Sequence, residues 1–84
     1  MNMDIEIYTT KICAYCVRAK SLLKNIGLGF TEIDVSTDTD KAIEIAERSG
    51  QRTVPQIFID GRSVGGFTEL AELNAAGELN QTQE

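Results

Sequence analysis

Histidine is absent from this chain of 84 residues, which also holds one proline and two cysteines. A structural zinc site typically needs four cysteine and histidine ligands, so two cysteines without histidine disfavour a closed zinc site within one chain. Two cysteines are also too few for a secreted fold held together by disulfides. The first residues contain no basic region, and no apolar run approaches a membrane span. We therefore expect no signal peptide and no membrane partner, and a reducing cytoplasm fits best.

Positive charge is in deficit. Eight lysines and arginines stand against thirteen aspartates and glutamates, which gives a net charge of −5. This balance argues against a nucleic-acid partner and favours solubility. The length of the chain is that of one small domain.

The hydrophobic pattern alternates between strand and helix periods. Apolar alternation or continuous apolar runs predict strands at 3–8, 31–35, 54–59 and 62–64. Apolar residues at helical spacing predict helices at about 13–26, before Gly50 and after Gly66. The order βαβαββα predicts an α/β fold with a four-stranded mixed sheet and three helices on its two faces. We place the domain at 1–77 and a polar tail with nothing to bury at 78–84.

Both cysteines lie where the first predicted strand gives way to the first predicted helix. A Cys-x-x-Cys at such a junction indicates a redox pair. The first turn of a helix has unpaired N–H groups and a partial positive charge, which stabilise the thiolate that attacks disulfides. Lys11 adds a cation nearby, so Cys13 is the candidate nucleophile. Cys16, one turn later, is close enough to attack a mixed disulfide at Cys13. The alternative is a pair of free cysteines in a core helix.

Two further segments contain residues that can contribute to a functional site. Pro55, the only proline, has no N–H for a sheet ladder and should lie at a strand start or edge. On its own, its preceding bond is expected to be trans, as in most X–Pro pairs. Gly65 and Gly66 come just before a helix, where free N–H groups can bind a carboxylate or phosphate. An ordinary hairpin end followed by a capped helix would show the same residues.

Four segments together carry a family resemblance. They are Ile-Glu-Ile-Tyr-Thr near the start, Cys-x-Tyr-Cys, Gly-Gln-Arg-Thr-Val-Pro-Gln-Ile-Phe-Ile-Asp, and Val-Gly-Gly. With these segments the chain resembles the dithiol glutaredoxins, most closely the small bacterial glutaredoxin 3 type, over nearly its whole length. The resemblance implies a thioredoxin-like fold. It also implies glutathione-dependent reduction of protein disulfides and protein–glutathione mixed disulfides through Cys13 and Cys16.

The resemblance further implies a groove for glutathione. In the family the bond between Val54 and Pro55 is cis, and the Val54 backbone pairs with the cysteine of glutathione. Such backbone pairing, with a clamp on each terminal carboxylate, suits an extended anionic tripeptide. Arg52 is either a further clamp or a solvated surface charge. The expected glutathione-binding residues are Lys11 and Gln51 at the glycine carboxylate, Tyr15, Thr53, Val54 and Pro55 along the groove, and Gly66, Phe67, Thr68 and Glu69 at the γ-glutamyl end.

Two positions depart from the usual family pattern. Ala14 stands where proline is common, and Phe67-Thr68-Glu69 stands where relatives often have Cys-Asp-Asp or Cys-Ser-Asp. The rival function is a carrier of a [2Fe–2S] cluster, which needs four thiolates. Cys13 and one bound glutathione from each chain of a dimer would supply them. For the oxidoreductase we expect a monomer that requires no metal, with glutathione as reductant. Its expected partners are disulfide-containing or glutathionylated proteins, with ribonucleotide reductase as one candidate.

Overall fold

A computed structural model of the chain describes residues 3–79. Its elements are β1 (Ile5–Thr9), α1 (Ala14–Asn25), β2 (Thr31–Asp34), α2 (Thr39–Ser49), β3 (Gln56–Ile59), β4 (Arg62–Gly65) and α3 (Phe67–Ala75). The strands form one sheet in the order β2-β1-β3-β4. β1 and β2 run parallel, whereas β1 with β3 and β3 with β4 are antiparallel. The predicted α/β fold with a four-stranded mixed sheet and three helices is confirmed.

The sheet buries apolar side chains on both faces because its central strands alternate. Ile5 and Ile7 of β1 pack in one cluster with Leu23 of α1 and Leu70 of α3. Tyr8, the next residue of β1, belongs to a second cluster on the opposite face, whose other buried members are Val35, Ile45 and Phe58. Helices α1 and α3 therefore cover one face of the sheet and α2 covers the other.

The second helix ends before Gly50, as the sequence predicts, and is capped at its start by Asp38. The Asp38 side chain accepts a hydrogen bond from the backbone N–H of Lys41 at 3.0 Å, which satisfies one of the unpaired donors of the first turn. Gly50 closes the helix with φ 78°, a left-handed conformation that glycine adopts without a steric penalty. These caps orient α2 so that Ile45, 1% exposed, faces the sheet.

Two expectations need correction. The strand predicted at 54–59 begins only at Gln56, because Pro55 has no N–H to donate to the ladder. The expectation that the segment 78–84 buries nothing is wrong at Leu79, which is 3% exposed and belongs to the cluster under α1 and α3. A single apolar residue among polar ones shows no periodicity, so the sequence pattern could not predict that Leu79 is buried. The rest of that segment lies outside the described residues, and the boundary at 77 stays a prediction.

Within residues 3–79, no helix is both long enough and apolar enough to cross a membrane.

Candidate redox site

The first helix begins directly after Cys13, which lies at its N-cap with an extended backbone. The backbone N–H of Cys16 donates a hydrogen bond to Cys13 Sγ over 3.1 Å. This N–H belongs to the first turn, whose donors have no partner within the helix. The hydrogen bond and the positive end of the helix both stabilise a negatively charged sulfur in that position. The predicted placement of Cys13 at a helix start is confirmed.

Cys13 and Cys16 form a disulfide in the structure. Their Cα atoms are 5.2 Å apart, within the usual range for bridged cysteines. The alternative of two free cysteines in a core helix is therefore wrong. Cys16 is only 2% exposed, whereas Cys13 is partly exposed. A sulfur that approaches from outside can consequently reach Cys13 more readily than Cys16.

The turn before β3 lies against the sulfur of Cys13. The bond between Val54 and Pro55 is cis, as the family resemblance implies. The carbonyl oxygen of Val54 lies 3.8 Å from Cys13 Sγ. The Val54 backbone is thus held next to the redox pair, in the turn that precedes β3.

A groove of about 430 Å³ opens beside this turn. The residues that line it come from the start of α1, the segment before β3 and the start of α3. They are Tyr15, Gln51, Thr53, Val54, Pro55, Gly66, Phe67, Thr68 and Glu69. All the residues predicted to bind glutathione are in this lining except Lys11. The volume is within the range of small-molecule binding clefts.

The far end of the groove is the start of α3. The backbone N–H of Gly66 donates to Glu69 Oε1 at 2.8 Å, so the Glu69 side chain folds back over the paired glycines. A Cβ at Gly65, where φ is +107°, would lie 2.8 Å from the Glu69 side chain. Glycine at position 65 is therefore needed for this close approach. Phe67 and Tyr15, with ring centroids 6.1 Å apart, form a wall of the groove.

Lys11 lies outside the groove lining. Its Nζ is 3.3 Å from Asp34 Oδ2, and its backbone N–H donates to Ser36 Oγ at 2.8 Å. The backbone N–H of Ser36, together with its side chain and with Lys11, lowers the pKa of Asp34. Parallel strands end at the same edge of a sheet, so the predicted pairing of β1 with β2 could have indicated that Asp34 lies beside Lys11. The role of Lys11 at the glycine carboxylate of glutathione stays a prediction.

Gln56 is a residue of the site that the sequence argument missed. Its side chain is buried, with 2% exposure, and Nε2 donates to the Gln51 carbonyl at 2.7 Å. The hydroxyl of Ser49 donates to the same carbonyl and accepts from the Gln51 N–H. Gln56 and Ser49 therefore fix the backbone of the segment that contributes Gln51 to the groove. The available signal was an amide residue directly after the only proline, within an otherwise apolar strand.

Comparison with known proteins connects this site to a family. A family model described as Glutaredoxin matches residues 5–64. The chain is 46% identical over 77 residues to Glutaredoxin 3 of Escherichia coli K12, covering 92% of this chain and 93% of that protein. It is 43% identical over 76 residues to a glutaredoxin of Pseudomonas aeruginosa PAO1, covering 90% of each.

Solved structures show the same architecture. The solution structure of glutaredoxin from Brucella melitensis has a TM-score of 0.81 and 47% identity, covering 92% of this chain and 84% of that one. The crystal structure of a buckwheat glutaredoxin–glutathione complex has a TM-score of 0.84 and 28% identity, covering 93% and 74%. A thioredoxin-like fold with a disulfide at the start of its first helix defines a thiol–disulfide oxidoreductase. The chain belongs to the glutaredoxin family, and its activity is glutathione-dependent.

The rival hypothesis of a cluster carrier gains no support from the site. Among residues 3–79, no three histidine, cysteine or acidic side chains come together as a candidate metal site. Cys16 is buried, so Cys13 is the sulfur that one chain would present to a shared cluster. The [2Fe–2S] hypothesis stays a prediction that reconstitution of the dimer with glutathione would test.

Proposed function

We propose that the chain reduces protein–glutathione mixed disulfides and protein disulfides with glutathione as the reductant, and that Cys13 is the attacking sulfur. The observation that carries this assignment is the hydrogen bond from the first-turn N–H of Cys16 to a partly exposed Cys13 Sγ. The test is to supply the reduced protein with a glutathionylated peptide and a peptide disulfide, and to follow glutathione oxidation. We expect turnover of both substrates.

Each reaction is a pair of thiol–disulfide exchanges. With a mixed disulfide, the Cys13 thiolate attacks the glutathione sulfur, and the substrate protein leaves as a thiolate that takes up a proton. A second glutathione thiolate then attacks the bound glutathione, which releases Cys13 and glutathione disulfide. With a protein disulfide, the Cys13 thiolate attacks one substrate sulfur, the substrate disulfide breaks and its other sulfur leaves as a thiolate that takes up a proton. The Cys16 thiolate then attacks Cys13, which releases the substrate with both of its cysteines reduced. The product is the Cys13–Cys16 disulfide, which two glutathiones reduce.

The groove suits glutathione as an extended anion. The Val54 backbone, next to Cys13 Sγ, offers β-type pairing to the cysteine of the tripeptide. The first turn of α3 offers N–H groups and the positive helix end to the γ-glutamyl carboxylate. Glu69, folded over Gly66 at the same end, can accept from the γ-glutamyl ammonium. The wall formed by Tyr15 and Phe67 covers the apolar part of the ligand.

The glycine carboxylate is assigned to Gln51 and Lys11. Gln51 lines the groove, and its backbone is held by Ser49 and Gln56. Lys11 has a side chain that is 70% exposed and must leave Asp34 to reach the ligand. Exposed ion pairs contribute about 0–1 kcal/mol to stability, so loss of the Lys11–Asp34 pair on ligand binding costs little free energy.

Substitution of either clamp should weaken substrate binding more than it slows chemistry. Gln51→Ala and Lys11→Ala are each expected to raise KM for a glutathionylated substrate about threefold to tenfold, because one exposed hydrogen bond is worth about 1 kcal/mol. The kcat should change less, since ground-state anchoring is what is lost. Steady-state kinetics measure both constants. Lys41→Ala is the matched control, since Lys41 pairs with Glu44 on α2. An unchanged KM in both clamp variants would place the carboxylate elsewhere.

Ionisation of the reduced cysteines should also differ. We expect Cys13 to form its thiolate at a lower pH than a free cysteine does, because the Cys16 N–H and the helix end favour the charged sulfur. Thiolate absorbance during a pH titration of Cys16→Ser measures this, and the N–H of residue 16 is retained in that variant. The same titration of Cys13→Ser reports on Cys16 as the control. Ionisation of both sulfurs at the same pH would refute the electrostatic role of the helix start.

The partners and the compartment follow from the same chemistry. We propose that the substrates are disulfide-containing or glutathionylated proteins in a reducing cytoplasm, that ribonucleotide reductase is one candidate, and that the protein acts as a monomer. A pair of cysteines used for exchange, with no other cysteine in the sequence, supports this placement.

A further inference from the structure

The segment between α2 and β3, residues 51–55, forms one side of the groove, and side chains hold it in place. All of it except Arg52 lines the groove. Within residues 3–79, no backbone–backbone hydrogen bond outside the helices and strands involves this segment. The Gln51 carbonyl instead accepts from Gln56 Nε2 and from Ser49 Oγ, which also accepts from the Gln51 N–H. The position of this side of the groove therefore depends on hydrogen bonds to Gln51.

Gln56 is the more rigid of the two residues that hold Gln51. It is 2% exposed and belongs to β3, which lies between β1 and β4 in the sheet. Its Nε2 is 2.7 Å from the Gln51 carbonyl oxygen, whereas Ser49 Oγ is 3.1 Å from it. Ser49 is half-buried at the end of α2, so water can replace its hydrogen bonds. Gln56 is buried, and its hydrogen bond has no such substitute.

The amide of Gln56 lies in apolar surroundings. Its partner across the sheet is Tyr8 of β1, and directly paired residues have their side chains on the same face. That face carries the apolar cluster to which Tyr8 and Phe58 belong. Among residues 3–79, Gln56 Oε1 is buried and has no hydrogen-bond partner. A buried acceptor without a partner lowers stability, so stability does not account for an amide at this position.

We propose that Gln56 is a positioning residue that sets the preference of the protein for glutathione-containing disulfides, and that its amide serves this purpose rather than stability. The inference rests on the proposed function, in which Gln51 and the Val54 backbone hold glutathione. By fixing the Gln51 carbonyl, Gln56 keeps the segment in place beside Cys13, whose Sγ lies 3.8 Å from the Val54 carbonyl oxygen. Gln56 is outside the groove lining and acts through this segment.

Two disulfides of one peptide separate binding in the groove from attack by Cys13. In the first, the peptide cysteine is joined to glutathione, and KM and kcat are measured with glutathione as reductant. In the second, two copies of the peptide are joined, and the reduced protein is added without glutathione. The Cys13 thiolate attacks one peptide sulfur, and the other peptide leaves as a thiolate that takes up a proton. The Cys16 thiolate then attacks Cys13, which releases the second peptide and forms the Cys13–Cys16 disulfide. The released peptide thiol measures this rate.

Gln56→Met removes the donor and the unpartnered acceptor but keeps an unbranched side chain. We expect KM for the glutathionylated peptide to rise about threefold to tenfold, as for loss of one hydrogen bond, with a smaller change in kcat. The rate with the peptide disulfide should change much less, because that substrate carries no glutathione. The urea midpoint of unfolding should equal or exceed that of the natural protein, because the Gln51 carbonyl keeps its bond from Ser49.

Tyr8→Phe is the matched control. It removes a side-chain hydrogen bond of 3.1 Å to Glu6 Oε1 from the residue that pairs with Gln56, and Tyr8 does not line the groove. This variant should keep the natural KM for the glutathionylated peptide. An equal rise of KM in both variants would overturn the proposal, since loss of any polar contact on this face would then have the same effect.

Three results with Gln56→Met would also overturn the proposal: an unchanged KM, an equal loss of rate with both disulfides, or a lower urea midpoint. The second and third are the results that a purely structural role predicts. If the natural protein reduced the peptide disulfide but did not turn over the glutathionylated peptide, the proposed function would be wrong at its glutathione step, and this inference with it.

Discussion

Cys13→Ser is expected to abolish both reactions, whereas Cys16→Ser should lose only the reduction of protein disulfides. Cys13 holds the sulfur at the helix start, and serine there is too poor a nucleophile to replace it, so the loss should be about a thousandfold or more. Cys16 is buried and serves only to attack Cys13 from within. Glutathione from solution can perform that attack on a Cys13–glutathione disulfide. Activity on a mixed disulfide should therefore survive in Cys16→Ser.

The same assay with the two substrates, run on both variants, measures this division of labour. The comparison is well matched because the hydrogen bond to Cys13 Sγ comes from the backbone N–H of residue 16. Cys16→Ser keeps that N–H, so the environment of the Cys13 sulfur is preserved while the second thiol is removed. Survival of mixed-disulfide reduction in Cys13→Ser, with its loss in Cys16→Ser, would reverse the assignment.

The redox pair could be placed from sequence because its signal is local. Cys13 and Cys16 lie one helical turn apart, and the switch from strand to helix period just before them puts the first sulfur at a helix start. The groove could not be placed from local signals, since three segments far apart in the chain form it. Pro55 and the glycine pair Gly65-Gly66 were each ambiguous alone. The family resemblance, rather than any periodicity, brought them to one site.

Contacts between distant polar side chains lay beyond the sequence argument. Hydrophobic periodicity reports which face of an element is buried and carries no information on which polar atoms meet. Asp34 therefore went unnoticed as the partner of Lys11, and so did Gln56 as the donor to the Gln51 carbonyl. Leu79 was missed for a related reason, because a lone apolar residue defines no face. Each of these contacts depends on the packed arrangement of elements that are separate in the chain.

Gly65→Ala is expected to reduce both stability and glutathione binding. The backbone at this position has φ +107°, which side chains rarely adopt, and the new Cβ would lie 2.8 Å from the Glu69 side chain. Strain of this kind costs about 1–3 kcal/mol, which should appear as a lower free energy of unfolding in urea. Relief of the clash moves Glu69 off the Gly66 N–H at the start of α3. We therefore also expect a higher KM for glutathionylated substrates, with a smaller change in kcat.

Gly27→Ala is the control that separates backbone strain from the contact with Glu69. Gly27 also has a positive φ, +81°, but a Cβ there would meet nothing within 4 Å. It follows α1 and lies away from the groove, so this variant should lose stability through strain alone and keep its KM. The excess effect of Gly65→Ala then measures the Glu69 contact. If the two variants lost equal stability and neither changed KM, Glu69 would have no part in holding the γ-glutamyl end.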